Sequence, residues 1–150
     1  MTLPQKQLYI KESKIPGAGM GLFTKELIEK GTRIIEYKGK VTTWKAVVEG
    51  DHFNPYVFYI TRNYVIDGMP YKKALARYAN DAKGITKIKG LQNNSKYVVE
   101  KKRVFIEAIK NISADEEILV AYGKEYWDII RQNKKAADQK TKSKEKKESA

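Results

Sequence analysis

From Leu8 to Asp67 the chain is a succession of short β-branched and aromatic runs, each cut by glycine or a polar turn. That punctuation makes a β-dominated fold of short strands the expectation. Residues 8–11, LYIK, predict a first strand, and KIPGAGMGLF (14–23) reads as a glycine-rich turn feeding a second. Gly17, Gly19 and Gly21 suit either a bulged hairpin or a loop whose exposed amides a ligand can approach. A dinucleotide fingerprint is rejected, since no crossover helix with a following acidic ribose ligand lies at the required distance. A turn at Glu29-Lys30-Gly31 precedes a strand Arg33–Tyr37, with Gly39 just beyond it. Thr42 or Thr43 can cap a short helix, WKAVVE, that Gly50 ends. The run YVFYITRNYVID (56–67) predicts a hairpin about Thr61-Arg62-Asn63.

Beyond Asp67 the pattern changes. PYKKALARYAN (70–80) has helical composition and a proline suited to a first turn. Residues 83–96 form a lysine-, glycine- and asparagine-rich loop that is long for a compact domain. Two strands then span 96–112 about a turn near Lys101-Lys102, and Ser113-Ala114-Asp115 turns into EEILVAYGKEYW (116–127). This last stretch predicts a strand through Ile118, Leu119 and Val120, a stop at Gly123, and an aromatic-rich helix carrying Tyr126 and Trp127. Tyr122, at the strand end beside a glycine, either aims its hydroxyl into a cavity or is a core tyrosine bonded to a backbone carbonyl.

Composition narrows the chemistry. The 150 residues contain no cysteine and a single histidine, His52. Disulfides, thiol catalysis and cysteine-based zinc sites are thereby excluded, and histidine-based metal sites and Ser-His or Cys-His relays are not expected. Catalysis has to rest on tyrosine, carboxylate, lysine or backbone groups. No apolar run reaches the roughly 18 residues of a membrane helix, and the N-terminus lacks a secretory core, so an intracellular protein is expected. The net charge of +12 favours an acidic partner such as nucleic acid, or a protein that sits on it. Part of that charge belongs to residues 134–150, where seven lysines, three acids and no large apolar side chain predict a disordered basic tail after a domain spanning 1–133.

Four segments, in order, resemble the SET domain, the fold of most protein-lysine methyltransferases that use S-adenosylmethionine. GAGMGLF (17–23) is similar to its GxG motif, EYKGK (36–40) to its YxG motif, ARYANDA (76–82) to its RFxNHS segment and DEEILVAYG (115–123) to its GEELxxxYG ending. The resemblance covers about residues 8–130 and implies a mainly β fold with short helices, an α+β arrangement of several small sheets with a threaded C-terminal segment, or pseudoknot. It implies that Ala18, Met20 and Asn80 hold the methionine part of the cofactor and that the Asp81 backbone meets adenine. Trp127, with Tyr126 second, is implied as the ring stacked on adenine. Tyr122 corresponds to the active-site tyrosine and Tyr37 to the tyrosine lining the lysine channel.

Three departures from the family pattern stand out. Asp81 replaces the usual histidine, the long loop 83–94 leads to Asn93-Asn94 where a Pro-Asn pair is usual, and no cysteine-rich zinc module can close the site. The segment 124–135 would have to close it instead. The position two before Tyr122, often aromatic in the family, is Val120. Expected partners are a basic protein or peptide carrying the target lysine, such as a histone or DNA-associated protein, and nucleic acid through the tail. Asp51, Glu116 and Glu125 are candidates to offset the domain's positive charge near the channel. A catalytically silent SET-like module that binds protein or nucleic acid is the alternative reading.

Overall fold

A computed structural model describes residues 2–50, 54, 56–83 and 89–122. Among the described residues, ten strands form three small sheets. The first joins β1 (Leu8–Glu12), β2 (Met20–Thr24) and β9 (Glu117–Ile118) in the order β1-β2-β9. The second contains β3 (Arg33–Glu36), β7 (Ser95–Glu100), β8 (Arg103–Ala108) and β10 (Val120–Ala121), ordered β10-β7-β8-β3. The third is β4-β6-β5, from β4 (Lys40–Thr42), β5 (Val57–Thr61) and β6 (Tyr64–Asp67). No helix among the described residues is long and apolar enough to cross a membrane.

Local chemistry explains most of these elements. In β2, residues 21–24 are all buried, so this strand is apolar on both faces rather than alternating. The hairpin β7–β8 turns through Lys101 and Lys102 at φ 51° and 63°. Two successive left-handed residues match the twist of the flanking strands, as in other two-residue hairpin turns. Thr43, rather than Thr42, caps helix α1 (Trp44–Val48), its hydroxyl accepting from the Ala46 amide at 3.2 Å. Thr42 belongs to β4.

The expected helix over 70–80 is replaced by a 3-10 turn at Leu75–Tyr78. Backbone turns precede it, held by the segment's own side chains: the Arg77 guanidinium donates to the carbonyls of Gly68 and Met69 at 2.9 and 2.7 Å, and the Tyr78 hydroxyl donates to Lys72 O at 2.9 Å. Side-chain bonding to nearby carbonyls thus overrides a helical composition.

One core, including Leu8, Leu22, Ile28, Ile34, Val104, Ile106, Ile112, Ile118 and Val120, unites the first two sheets, and Ile66 carries it to the third. A satellite of Ile15, Ala82 and Leu119 lies beside it, with Ala18 and Leu91 packed against it. The strand expected through 118–120 is real but changes sheets at Leu119. Glu117–Ile118 pair antiparallel with β2, Leu119 bridges Asn80 in parallel, and Val120–Ala121 pair in parallel with β7. The Leu119 carbonyl accepts from the amides of both Asn94 and Ser95, while the Val120 amide donates to Asn80 O at 2.8 Å. The segment 117–121 is therefore hydrogen-bonded to three stretches distant from it in sequence. This is the threaded arrangement that delivers Tyr122.

Candidate active site

Two groups of residues meet where the threaded strand ends. The first is polar and gathers around β2 and Glu117. Gly19, at φ 73°, lets the loop 14–19 fold back so that its carbonyl accepts the Ser13 amide at 2.8 Å. Glu117 is buried, and its carboxylate accepts from Ser13 Oγ at 2.7 Å and the Lys14 amide at 2.9 Å. Ser13 Oγ in turn accepts the Ile15 amide at 3.0 Å, so the carboxylate organises the start of the glycine loop. Asn80 Nδ2 donates to Met20 O at 3.1 Å and reaches Glu117 Oε2 at 3.5 Å. Met20 and Asn80, expected together on the sequence resemblance, are thus in direct contact. Ala18 is half-buried against the satellite core, and the Met20 side chain is exposed.

The second group is aromatic. Tyr37 follows β3, is buried, and donates its hydroxyl to Tyr56 O at 2.7 Å. Its ring meets Phe58 at 6.3 Å and Tyr97 edge-on at 6.1 Å. Phe58 and Tyr97 are 4.8 Å apart, and Tyr97 stacks on Tyr122 at 5.8 Å with 28° between planes. Tyr37 and Tyr122, which are 85 positions apart in the chain (122 − 37), are therefore joined through one intervening ring. Edge-to-face and offset contacts of this kind give an apolar wall with defined ring orientations.

Tyr122 stands between the two groups. Its hydroxyl donates to the Ala79 carbonyl, and its amide donates to Asp81 Oδ2 at 3.0 Å. The hydroxyl does reach a backbone carbonyl, yet the ring is only half-buried and that carbonyl immediately precedes Asn80. Asp81 is buried, and its other oxygen accepts from the Lys83 amide and from Asn93 Nδ2, both at 2.8 Å. Asn94, also buried, donates to Glu117 O at 2.8 Å and accepts the Leu119 amide at 2.9 Å. Both asparagines of the Asn93-Asn94 pair thus fasten the threaded strand or its neighbour.

Sequence reasoning missed Phe58, Tyr97 and Glu117. Val120 is buried in the core, and the ring beside Tyr122 comes instead from Tyr97 on β7. Among the acids, the buried ones at this junction are Asp81 and Glu117 rather than Glu116, which is half-buried. The doublet Glu116-Glu117 before an apolar run was the available signal; it does not say which member turns inward. Trp127, Tyr126, Gly123, Asp51, Glu125, the closing segment 124–135 and the tail 134–150 lie outside the described residues.

A sulfonium amino-acid cofactor needs oxygen acceptors for its ammonium, and the polar group fits that need. The Asn80 side-chain oxygen makes no hydrogen bond among the described residues, and the Met20 carbonyl lies beside it, accepting from Asn80 Nδ2 at 3.1 Å.

The SET-domain family profile matches residues 19–123. The fold is similar to that of the methyltransferase domain of human PR domain-containing protein 2, with a TM-score of 0.58 and 22% identity over 79% of this chain and 78% of that one. A search among curated proteins finds no significant match. The profile takes in the end of the glycine loop, the Tyr37 strand, the Asn80 bridge and the threaded segment up to Gly123, and by that match the chain belongs to the SET-domain family.

Proposed function

We propose that this protein is an S-adenosylmethionine-dependent protein-lysine N-methyltransferase acting on a basic protein such as a histone or a DNA-associated protein. The observation that carries the reading is the position of Tyr122, with an aromatic wall of Tyr97, Phe58 and Tyr37 to one side and the Met20–Asn80–Glu117 group adjoining the Ala79 carbonyl to which its hydroxyl is bonded. The cofactor supplies a methyl group on a sulfonium. The carbonyls of Ala18 and Met20 and the Asn80 carboxamide hold its ammonium end, Asp81 offers backbone groups to adenine, and Trp127 or Tyr126 stacks on the base.

The methyl acceptor would be a lysine amine, admitted along the aromatic wall of Tyr37, Phe58 and Tyr97 toward Tyr122. The amine must be neutral to attack, and the aromatic wall favours that form by desolvation. Tyr122 orients amine and methyl, so that the enzyme contributes position and a preorganised dipole rather than a base. This chemistry suits a chain whose single histidine is His52.

The net charge of +12 repels a free lysine-rich peptide over about 8 Å at physiological salt. A substrate already bound to nucleic acid avoids that penalty, with the lysine-rich tail on the same polyanion. A second reading, a binding module without turnover, draws on Asp81, whose carboxylate is committed to the fold where the family carries histidine.

Calorimetry and thermal shift with S-adenosylmethionine separate the two. Binding and stabilisation are expected, followed by transfer of labelled methyl from the cofactor to histones or to basic proteins of the host. Absence of both heat and stabilisation would sink the enzyme reading.

A further inference from the structure

We propose that the Asp81 carboxylate is a positioning residue for Tyr122, and that it couples this tyrosine to Asn93. The inference rests on the methyltransferase reading for its kinetic consequence, and on geometry alone for the coupling.

Among the described residues, Asp81 gathers three donors from three places. Oδ2 takes the Tyr122 amide at 3.0 Å, while Oδ1 takes the Lys83 amide and Asn93 Nδ2, each at 2.8 Å. Asn93 closes the ring of contacts by accepting the Ala82 amide at 2.8 Å on its own oxygen. A neutral imidazole has one acceptor nitrogen, so a histidine here could receive only one of these donors. Only a carboxylate can serve all three. With its hydroxyl on the Ala79 carbonyl and its amide on Asp81, Tyr122 is held at both ends by the same short stretch.

Two departures from the family pattern thereby become one feature. The acidic residue that replaces histidine and the asparagine that ends the long loop are hydrogen-bonded to each other. Tilting the Asn93 end of the loop would move the carboxylate, and the carboxylate would carry the tyrosine amide. Asn93 is thus part of what positions the active-site ring. Its effect falls on the orientation of Tyr122 and not on the Met20–Asn80 contact, which uses the Asn80 side chain and none of the Asp81 bonds.

The test uses the full chain and three variants. Asp81→Asn leaves one acceptor oxygen, so either the Tyr122 amide or the Asn93 and Lys83 donors face an amide nitrogen. Asp81→Asn with Asn93→Asp exchanges donor and acceptor across one contact: the amide at 81 accepts from Tyr122 and donates to the carboxylate at 93, which still accepts from Ala82, while the Lys83 amide loses its acceptor. Asn93→Ala removes the bond to Asp81 and with it the acceptor of the Ala82 amide, leaving the carboxylate in place. Amide hydrogen exchange at Tyr122 is followed by NMR, S-adenosylmethionine affinity by calorimetry, and turnover with purified histones as methyl acceptor.

In Asp81→Asn, Tyr122 protection and turnover should each fall by about tenfold or more, the size expected when a reacting geometry slips by a fraction of an ångström. Cofactor affinity should stay within about threefold, and the double variant, which re-forms the Tyr122 and residue 93 bonds but not the Lys83 one, should recover part of both losses. Unchanged protection in Asp81→Asn, or no recovery in the double variant, overturns the proposal. Should Asp81→Asn fail to fold, Asn93→Ala decides: reduced Tyr122 protection supports the coupling and wild-type protection overturns it. If the wild type transfers no methyl to histones, the activity reading loses support, while the exchange data still decide the coupling.

Discussion

Gly21 and Glu117 share one volume: a Cβ on residue 21 would stand inside the Glu117 carboxylate, with the Ser13 Cα 3.3 Å away on another side. The close approach lets a buried carboxylate lie against β2 and accept from Ser13 and Lys14. Gly21→Ala should therefore displace the carboxylate and break both bonds. We expect a loss of about 1–3 kcal/mol in chemical denaturation, together with weaker S-adenosylmethionine binding, because Asn80 borders the same carboxylate.

Asn80 has two separable contributions. Its backbone bridges Leu119 and accepts the Val120 amide, whereas its side chain reaches Met20 O. Asn80→Ala keeps the first and removes the second. Cofactor affinity should fall about tenfold or more, the value of one or two lost hydrogen bonds to a charged group, while the melting temperature without cofactor changes little. Calorimetry and a thermal scan on the same sample check both halves.

Local signals were legible in the sequence and long-range ones were not. Runs such as YVFYITRNYVID and KYVVEKKRVFIEA carry their own turn chemistry, so both hairpins follow from neighbouring residues. Glycine spacing, the Tyr37 and Tyr122 strand ends and the Thr43 cap belong to the same class. The sheet change at Leu119 does not, because it depends on pairing with Asn80, Asn94 and Ser95, none of which is adjacent to it. Tyr97 escaped notice for the same reason: on its strand it is one aromatic in a β-rich run, and only the register of β7 against β10 sets it beside Tyr122. The helical composition of 70–80 misled because Arg77 and Tyr78 find carbonyl partners outside a helix.

Tyr97 offers a way to perturb the lysine side alone. Its ring contacts Tyr37, Phe58 and Tyr122, all on the aromatic side. Tyr97→Leu removes ring pairs worth about 0.5–1.5 kcal/mol each and loosens the wall that orients the amine. The expected signature is a raised KM for a methyl-accepting protein with an unchanged Kd for S-adenosylmethionine, read from steady-state kinetics and calorimetry.

At the surface, Arg103 grips Glu36 with Nε at 3.2 Å and Nη2 at 2.7 Å from the two carboxylate oxygens. That side-chain hydrogen bonding, opposed by partial burial and aided by the charges of Arg103 and Lys38, holds the Glu36 carboxyl below its ordinary range. A depressed carboxylate pKa contributes stability that is present above the unfolded value and lost as pH falls through the folded one. Arg103→Gln should move the Glu36 titration, followed by NMR, back toward the ordinary range and reduce the loss of stability in that acid window. Because the arginine is exposed, the change at neutral pH should be small and weaker still in high salt.

Tyr122→Phe removes one oxygen and leaves the ring and backbone in place. The ring stack on Tyr97 and the backbone bond to Asp81 do not involve the hydroxyl, so the strand end should keep its place. Loss of the bond to the Ala79 carbonyl should cost about 0.5–1.5 kcal/mol of stability. Cofactor affinity should hold within a few-fold, since Met20, Asn80 and Glu117 are untouched. Methyl transfer should fall by roughly ten- to a hundredfold, because the group that orients amine and methyl is gone while the wall that admits the lysine remains. The two measurements are informative only as a pair. A fall in turnover with intact binding assigns the hydroxyl to the reaction, whereas a parallel loss of both would make Tyr122 a structural tyrosine whose hydroxyl serves the Ala79 carbonyl alone.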